Sequence, residues 1–279
     1  MSSTVRRPAV AGQFYPSHPE TLRRTISQCF LHSIGPRRLP PAEKSKILGL
    51  VCPHAGFMYS GPVAAHGYLA LSGLDPDLVI VVGPNHYGIG SGVAVPAAKS
   101  WLTPLGEVPI ARDAAKELIE ASGIIHIDDT SHMQEHSVEV QVPFLQFIFS
   151  RSLRILPVSM LLQDQKTAEE VGEAISKIAP KWNAFVMASS DLTHYEPHEV
   201  ASKKDNQLIK VIQDFDLDTY YEMLRKLDLT ACGYGPIAAV MKASEMLGAR
   251  EGKLLQYATS GDTGGSRDSV VGYASISFS

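Results

Sequence analysis

The sequence has few cysteines and no long apolar run. Its three cysteines, Cys29, Cys52 and Cys232, form no CxxC pair, so neither a disulfide framework nor a zinc ribbon is indicated. The longest strong apolar run covers residues 78–82, whereas a membrane-spanning helix needs about 20 apolar residues. Residues 1–8 lack the apolar stretch of a secretory signal. We therefore expect a cytoplasmic protein with no membrane partner.

The sequence also lacks an excess of charge of one sign. Lys and Arg number 25 against 29 Asp and Glu, a net charge of -4, so no basic surface for nucleic acid is indicated. GxSxG and HExxH motifs are absent, which argues against α/β serine hydrolases and zinc proteases. Hydrophobic residues make up 44% of the chain, which is enough for a large core and too much for disorder.

Short apolar runs alternate with segments of helical pattern. We expect strands at residues 47–52, 78–82, 154–160 and 184–189, and helices at 62–71, 111–121, 167–178, 202–212, 218–227 and 237–247. This alternation predicts a three-layer α/β fold with a mostly parallel central sheet flanked by helices. The closing runs predict a C-terminal antiparallel hairpin at an edge, from strands 254–260 and 270–278. No linker interrupts the pattern, so residues 1–279 are expected to form a single domain.

Three histidines follow predicted strands directly. His54 comes after strand 47–52, His86 after strand 78–82 and His194 after strand 184–189. In open α/β sheets, ligands bind beyond the carboxyl ends of the strands, so these side chains are expected to converge on one site. The other histidines discussed have no such setting and are expected to be ordinary hydrogen-bonded residues, namely His18, His32, His66, His126 and His198.

Two further segments carry candidate residues. Cys232 precedes a helix that Pro236 helps to begin, and a helix N-terminus lowers the pKa of a thiol. Cys232 is therefore a metal ligand or a nucleophile, or else a small buried apolar residue. Glu135 and His136 begin an apolar run that ends at Phe149. They either orient a metal-bound imidazole or form the solvated start of a helix.

Several motifs together resemble one family. They are residues 7–16 (RPAVAGQFYP), 53–56 (PHAG), 83–86 (GPNH), 135–139 (EHSVE), 190–195 (SDLTHY) and 232–233 (CG). This combination looks like the Memo family, named for the human mediator of ErbB2-driven cell motility, and covers essentially the whole chain. The resemblance implies a fold similar to class III extradiol (LigB-type) dioxygenases, which are non-haem iron enzymes.

The resemblance also implies a site. His54, His86 and Cys232 match the metal-binding positions, and iron is the expected metal, with copper or zinc as alternatives. Asp191 and His194 lie beside them, and a histidine at the place of His194 serves as acid and base in the dioxygenases. Together with Glu135 and His136 from the segment described above, His194 and Asp191 are the expected catalytic residues.

The resemblance further implies ligands and partner proteins. The human member is associated with binding a phosphotyrosine peptide, so a peptide or a small molecule is the expected ligand. Prokaryotic members often occur with an AMMECR-type protein and a radical-SAM protein, which are the expected protein partners.

Three hypotheses about function remain open. The first is a metal-dependent oxidoreductase of dioxygenase type, although Cys232 stands where the dioxygenases have a carboxylate, and a thiolate is softer and more easily oxidised. The second is a binding module that captures a peptide or small anion in the same pocket without turnover. The third is zinc hydrolysis, because two histidines and one cysteine leave a position where water can be activated.

Overall fold

The computed structural model describes residues 5–149 and 153–279. The strands are β1 (Val5–Arg6), β2 (Gly49–Cys52), β3 (Leu78–Pro84), β4 (Val93–Val95), β5 (Ser100–Thr103), β6 (Gly106–Pro109), β7 (Ile125–Ile127), β8 (Arg154–Met160), β9 (Ala184–Ser189), β10 (His194–Glu196), β11 (Gly252–Thr259) and β12 (Val270–Phe278). The helices are α1 (Pro19–Leu31), α2 (Phe57–Leu71), α3 (Arg112–Ala121), α4 (Thr130–Met133), α5 (Val142–Ile148), α6 (Gln165–Ile178), α7 (His198–Gln213), α8 (Leu217–Lys226) and α9 (Tyr234–Met246). Short 3-10 helices cover Glu139–Gln141 and Ala179–Trp182.

A large, mostly parallel sheet forms the centre of the molecule. Among the described residues it has nine strands in the order β10-β12-β2-β9-β3-β8-β4-β7, with β11 paired to β12. The four middle strands, β2, β9, β3 and β8, are parallel, so their carboxyl ends lie along one edge of the sheet, here called the carboxyl edge. A small second sheet has the order β1-β5-β6.

Helices cover both faces of the central sheet because successive side chains of a strand point to opposite faces. Leu78, Ile80 and Val82 of β3 pack in one core with α3, α6 and α9. Val79 and Val81 pack in a second core with α1, α2 and α5. The continuous apolar sequence of β3 therefore serves two cores at once, and the predicted three-layer α/β fold is confirmed.

The predicted elements agree with the structure more closely for strands than for helices. The bounds predicted for β8, β9 and β12 are those observed, and β11 pairs antiparallel with β12 in the predicted hairpin. Helix α2 begins at Phe57 rather than at residue 62, so Pro62 lies inside the helix and not in its first turn. The short strands β4 to β7 were missed because three or four residues are too few to show a periodic pattern.

Two expectations concern the chain as a whole. No helix in the described part of the chain is both long and apolar enough to cross a bilayer. The expected lack of a secretory signal rests partly on residues 1–4, which lie outside the described residues. The expectation of one domain over residues 1–279 likewise stays a prediction.

Candidate metal centre

Three neighbouring parallel strands end at the candidate centre. His54 lies two residues beyond β2, His86 two residues beyond β3, and Asp191 two residues beyond β9. Because β9 lies between β2 and β3 in the sheet, these side chains meet at the carboxyl edge. The imidazole rings of His54 and His86 have centroids 5.2 Å apart and are nearly perpendicular. Of the three histidines expected to converge, His54 and His86 thus lie together, and Asp191 rather than His194 has the same spacing after β9.

A third imidazole, that of His136, completes a cluster that could hold a metal ion. One ring nitrogen each of His54, His86 and His136 lies within 4.8 Å of the others. The His136 ring stacks on the His86 ring at a centroid distance of 4.5 Å. Sequence analysis predicted His136 as a catalytic residue or an orienting partner and not as a metal ligand, whereas the structure places it among the possible ligands. The expected catalytic role of His136 stays a prediction.

The Glu135 carboxylate fixes the orientation of His86. It accepts hydrogen bonds from the His86 backbone N–H at 2.6 Å and from Nδ1 of the ring at 2.9 Å. Burial acts to raise the pKa of Glu135, but its hydrogen bonds, led by that of the His86 ring, lower it to about 2. Since a carboxylate only accepts hydrogen bonds, Nδ1 of His86 carries a ring proton, and in a neutral imidazole the lone pair is then on Nε2.

The two more buried imidazoles are held in the neutral state. Burial lowers the pKa of His54 well below its ordinary value, and the neighbouring histidines lower it further. Burial likewise lowers the pKa of His136 to about 4, although the Glu135 charge opposes the shift. The Phe14 ring contacts His136 at a centroid distance of 4.6 Å. Neutral imidazoles are the form that binds metal ions.

Cys232 lies against His54. Its Sγ is 3.2 Å from His54 Nε2 and accepts a hydrogen bond from the Asp191 backbone N–H at 3.3 Å. Although the residue is partly exposed, desolvation around the sulfur raises the pKa of the thiol, and the Asp191 carboxylate adds to the shift. The expectation of a lowered thiol pKa is therefore wrong for the protein without metal. A bound cation would reverse it, because a coordinating thiol is deprotonated.

Asp191 and His194 line the same part of the carboxyl edge. Asp191 Oδ1 accepts the backbone N–H of His54 at 2.8 Å, and burial raises the pKa of this carboxyl to about 6. Nδ1 of His194 lies 2.7 Å from the Leu192 carbonyl oxygen and 2.9 Å from that of Thr230. Carbonyl oxygens only accept hydrogen bonds, so Nδ1 of His194 carries a ring proton, and in a neutral imidazole the lone pair is then on Nε2. The proposed roles of both residues stay predictions.

Two polar residues that lie behind the candidate centre had no distinct signal in the sequence. Ser189 and Gln141 lie directly behind His54 and are linked at 2.6 Å, yet isolated polar residues in apolar segments carry no motif. Two histidines expected to be structural do form ordinary hydrogen bonds. His66 Nε2 contacts the Ile34 carbonyl oxygen at 2.8 Å, and His198 Nδ1 contacts Thr259 Oγ1 at 2.9 Å.

Comparison with known proteins identifies the family. A sequence model described as "Memo-like protein" matches residues 6–277. This chain belongs to the Memo family. A MEMO1 family protein of Methanopyrus kandleri is 48% identical over 279 residues, which cover 98% of each chain. A MEMO1 family protein of Nitrosopumilus maritimus is 45% identical over 274 residues, covering 98% of this chain and 99% of that protein.

A solved structure supports the fold of this Memo-family chain. An uncharacterized protein from Escherichia coli K12 is similar with a TM-score of 0.56 over 84% of this chain and 100% of its own. Its sequence identity is 14%, so this likeness concerns the fold alone. The Memo family and a histidine cluster that could hold a metal are thus established for this chain.

Proposed function

We propose that this chain binds one redox-active metal ion at the carboxyl edge through His54, His86 and Cys232. His136 is the alternative third ligand. The observation that carries metal binding is the convergence of one ring nitrogen each from His54, His86 and His136 within 4.8 Å of one another. Cys232 is included among the ligands because its Sγ lies 3.2 Å from His54 Nε2. Two of these imidazoles, His54 and His86, follow neighbouring strands of the sheet, and the third, His136, follows helix α4.

The chemistry of the donors supports a transition metal. Imidazole and thiol ligands suit iron, copper and zinc, whereas magnesium and calcium prefer oxygen ligands. A tetrahedral ion with nitrogen at about 2.0 Å and sulfur at about 2.3 Å separates those two atoms by roughly 3.5 Å. The observed separation of His54 Nε2 and Cys232 Sγ is 3.2 Å, so a small adjustment would admit the ion.

The residues around the pocket have distinct tasks in this proposal. Iron or copper bound there would supply one-electron chemistry to a small ligand beside it. His194 accepts or donates a proton at Nε2, because its Nδ1 is engaged by two carbonyl oxygens. Glu135 holds the His86 ring and Asp191 holds the His54 backbone. The family resemblance favours oxidation of dioxygenase type, which stays part of the proposal.

The experiment is metal loading without oxygen. Protein reconstituted with Fe(II), Cu(I) or Zn(II) is desalted, and its metal content is measured by elemental analysis. We expect one metal per chain in the wild type, much less in H54A, and weaker binding in C232A. Co(II) provides the second measurement, because a thiolate ligand gives an intense charge-transfer absorption that C232A abolishes.

The outcomes separate the ligand sets. If C232A keeps the metal while H136A loses it, the three histidines are the ligands and Cys232 is not. Less than half an equivalent of every metal in the wild type would contradict the proposal itself. H66A is the matched control, since this histidine of α2 is hydrogen-bonded to the backbone carbonyl of Ile34, and it should leave the metal content unchanged.

Of the two other hypotheses, the capture of an anion fits the pocket less well. Capture of an anion needs hydrogen-bond donors, but His86 and His194 direct their ring N–H groups at protein oxygens. The low pKa of His54 and His136 also opposes a second ring proton. Zinc hydrolysis uses the same ligands and would appear as hydrolytic activity with zinc but not with copper. A peptide or small-molecule ligand, and AMMECR-type and radical-SAM partners, remain predictions of the family resemblance.

A further inference from the structure

Ser189 lies behind His54, on the side away from Cys232. It is the last residue of β9 and pairs in register with Cys52, the last residue of β2. Its side chain is fully buried. Its hydroxyl oxygen has three polar neighbours, which are the Ser137 carbonyl oxygen at 2.6 Å, Gln141 Nε2 at 2.6 Å and His54 Nδ1 at 2.9 Å.

The orientation of the Gln141 amide is fixed by its own neighbours. Nε2 also lies 3.0 Å from the Pro53 carbonyl oxygen, which can only accept. The Tyr68 hydroxyl donates to Oε1 from the opposite side. The atom facing Ser189 is therefore the NH2 group, and it donates.

The position of the ring proton of His54 follows from these contacts. A serine hydroxyl has one proton and two acceptor lone pairs. The Ser137 carbonyl oxygen can only accept a hydrogen bond, so the Ser189 hydroxyl donates its proton to it. The Gln141 NH2 group donates, so the hydroxyl oxygen accepts from it. The hydroxyl oxygen must then accept from His54, so Nδ1 of His54 carries the hydrogen. A neutral imidazole has one ring proton, and Nε2 is left with a lone pair directed at Cys232.

We propose that Ser189 is a positioning residue for His54, held in its accepting role by Gln141 and the Ser137 carbonyl group. It selects the tautomer in which Nε2 is the metal ligand, as Glu135 does for His86. The inference concerns the site of the proposed function and rests on it for its biological meaning. The hydrogen-bond geometry behind the tautomer does not depend on a metal.

The first measurement reads the tautomer directly in the metal-free protein. Nitrogen NMR of the histidine rings distinguishes a protonated from an unprotonated ring nitrogen, and H54Q identifies the His54 signals. We expect the wild type to show protonated Nδ1 and unprotonated Nε2. In S189A the acceptor is gone, so a substantial fraction of His54 should carry its proton on Nε2. S189T keeps the hydroxyl and should restore the wild-type signals.

The second measurement is metal affinity. Partners that orient a ligating histidine typically change affinity by about 10–100-fold, so S189A should weaken Co(II) binding by that factor and S189T should not. The matched control is S244A. Among the described residues Ser244 Oγ is buried without a partner, and Ser244 packs against Gly49 at the opposite end of β2 from His54. S244A should change neither the tautomer nor the affinity.

The outcomes distinguish the two proposals. An unchanged His54 tautomer in S189A, or a wild type with Nε2 protonated, overturns the role of Ser189 whatever the metal does. A wild type that binds no metal but shows the expected tautomer change in S189A contradicts the proposed function and upholds the role of Ser189. If S189A does not fold, S189T is decisive. A His54 tautomer in S189T that differs from the wild-type tautomer refutes the positioning role of Ser189.

Discussion

The substitution E139Q tests what holds the N-terminal segment, residues 6–15, against the candidate centre. The Glu139 carboxylate is buried and takes four donors from this segment, which are the Arg6 guanidinium, the backbone N–H groups of Ala9 and Val10, and the Tyr15 hydroxyl. Arg6 also donates to the backbone carbonyls of His132 and Glu135. Phe14 of the same segment contacts His136.

The expected cost follows from charge and hydrogen bonding. A glutamine at position 139 keeps one accepting oxygen and turns an NH2 group toward groups that themselves donate. The Arg6 guanidinium, whose side chain is only 7% exposed, also loses the negative charge that it pairs with. Removing one partner of a buried ion pair typically costs about 3–5 kcal/mol. Losing two hydrogen bonds to a charged group costs about 3–6 kcal/mol. We therefore expect E139Q to lower the free energy of unfolding by about 3–5 kcal/mol, a large part of a typical total of about 5–15 kcal/mol.

The assay is equilibrium unfolding in urea, followed by tryptophan fluorescence, with hydrogen exchange at the Ala9 and Val10 amides as the local measurement. The matched control is D113N, which removes the exposed pair with Arg154, whose side chains are 55% and 33% exposed. Such pairs contribute about 0–1 kcal/mol. The role of Glu139 is refuted if E139Q lowers the free energy of unfolding no more than D113N does and the Ala9 and Val10 amides exchange at the wild-type rate.

Two further predictions concern acid stability and close packing. Burial, and after it the Arg6 charge, lowers the pKa of His132 from 6.5 to about 3. Between pH 6.5 and 3 this histidine is therefore protonated in the unfolded chain but neutral in the folded one. The free energy of unfolding consequently falls as the pH drops through this range. H132N should reduce the slope of unfolding free energy against pH by up to about 1.4 kcal/mol per pH unit, and an unchanged slope contradicts the shift. A Cβ at Gly83 would lie 2.6 Å from Ser137 Oγ, so G83A should cost about 1–3 kcal/mol in urea unfolding. G123A, whose Cβ meets nothing within 4 Å, should change stability by less than about 0.5 kcal/mol, and equal effects of the two would refute the packing argument.

Much of the candidate centre could be predicted because strand ends are visible in the sequence. Apolar strands stop at turn residues, and the three histidines on which the prediction rested, His54, His86 and His194, follow β2, β3 and β9. Parallel strands bring such positions to one edge. No comparable rule applied to His136, because it follows a short helix rather than a strand of the sheet.

Burial accounts for the error about Cys232. The sequence placed this residue just before a helix, where the dipole lowers the pKa of a thiol by a modest amount. The structure surrounds the sulfur with His54 and the backbone of Asp191, so desolvation outweighs the dipole and raises the pKa. His54 and Asp191 are distant from Cys232 in the chain, so the residues next to Cys232 in the sequence do not reveal this burial.

The sequence by itself determined the layered architecture and the edge at which chemistry is concentrated, because side-chain periodicity and strand ends are local properties of the chain. Only the tertiary structure decided which polar groups meet there. Ser189 and His54 are 135 residues apart, and Arg6 and Glu139 are 133 apart. Hydrogen bonds act over about 3 Å, so the tautomer of each histidine and the state of each carboxylate depend on contacts that exist only in the folded chain.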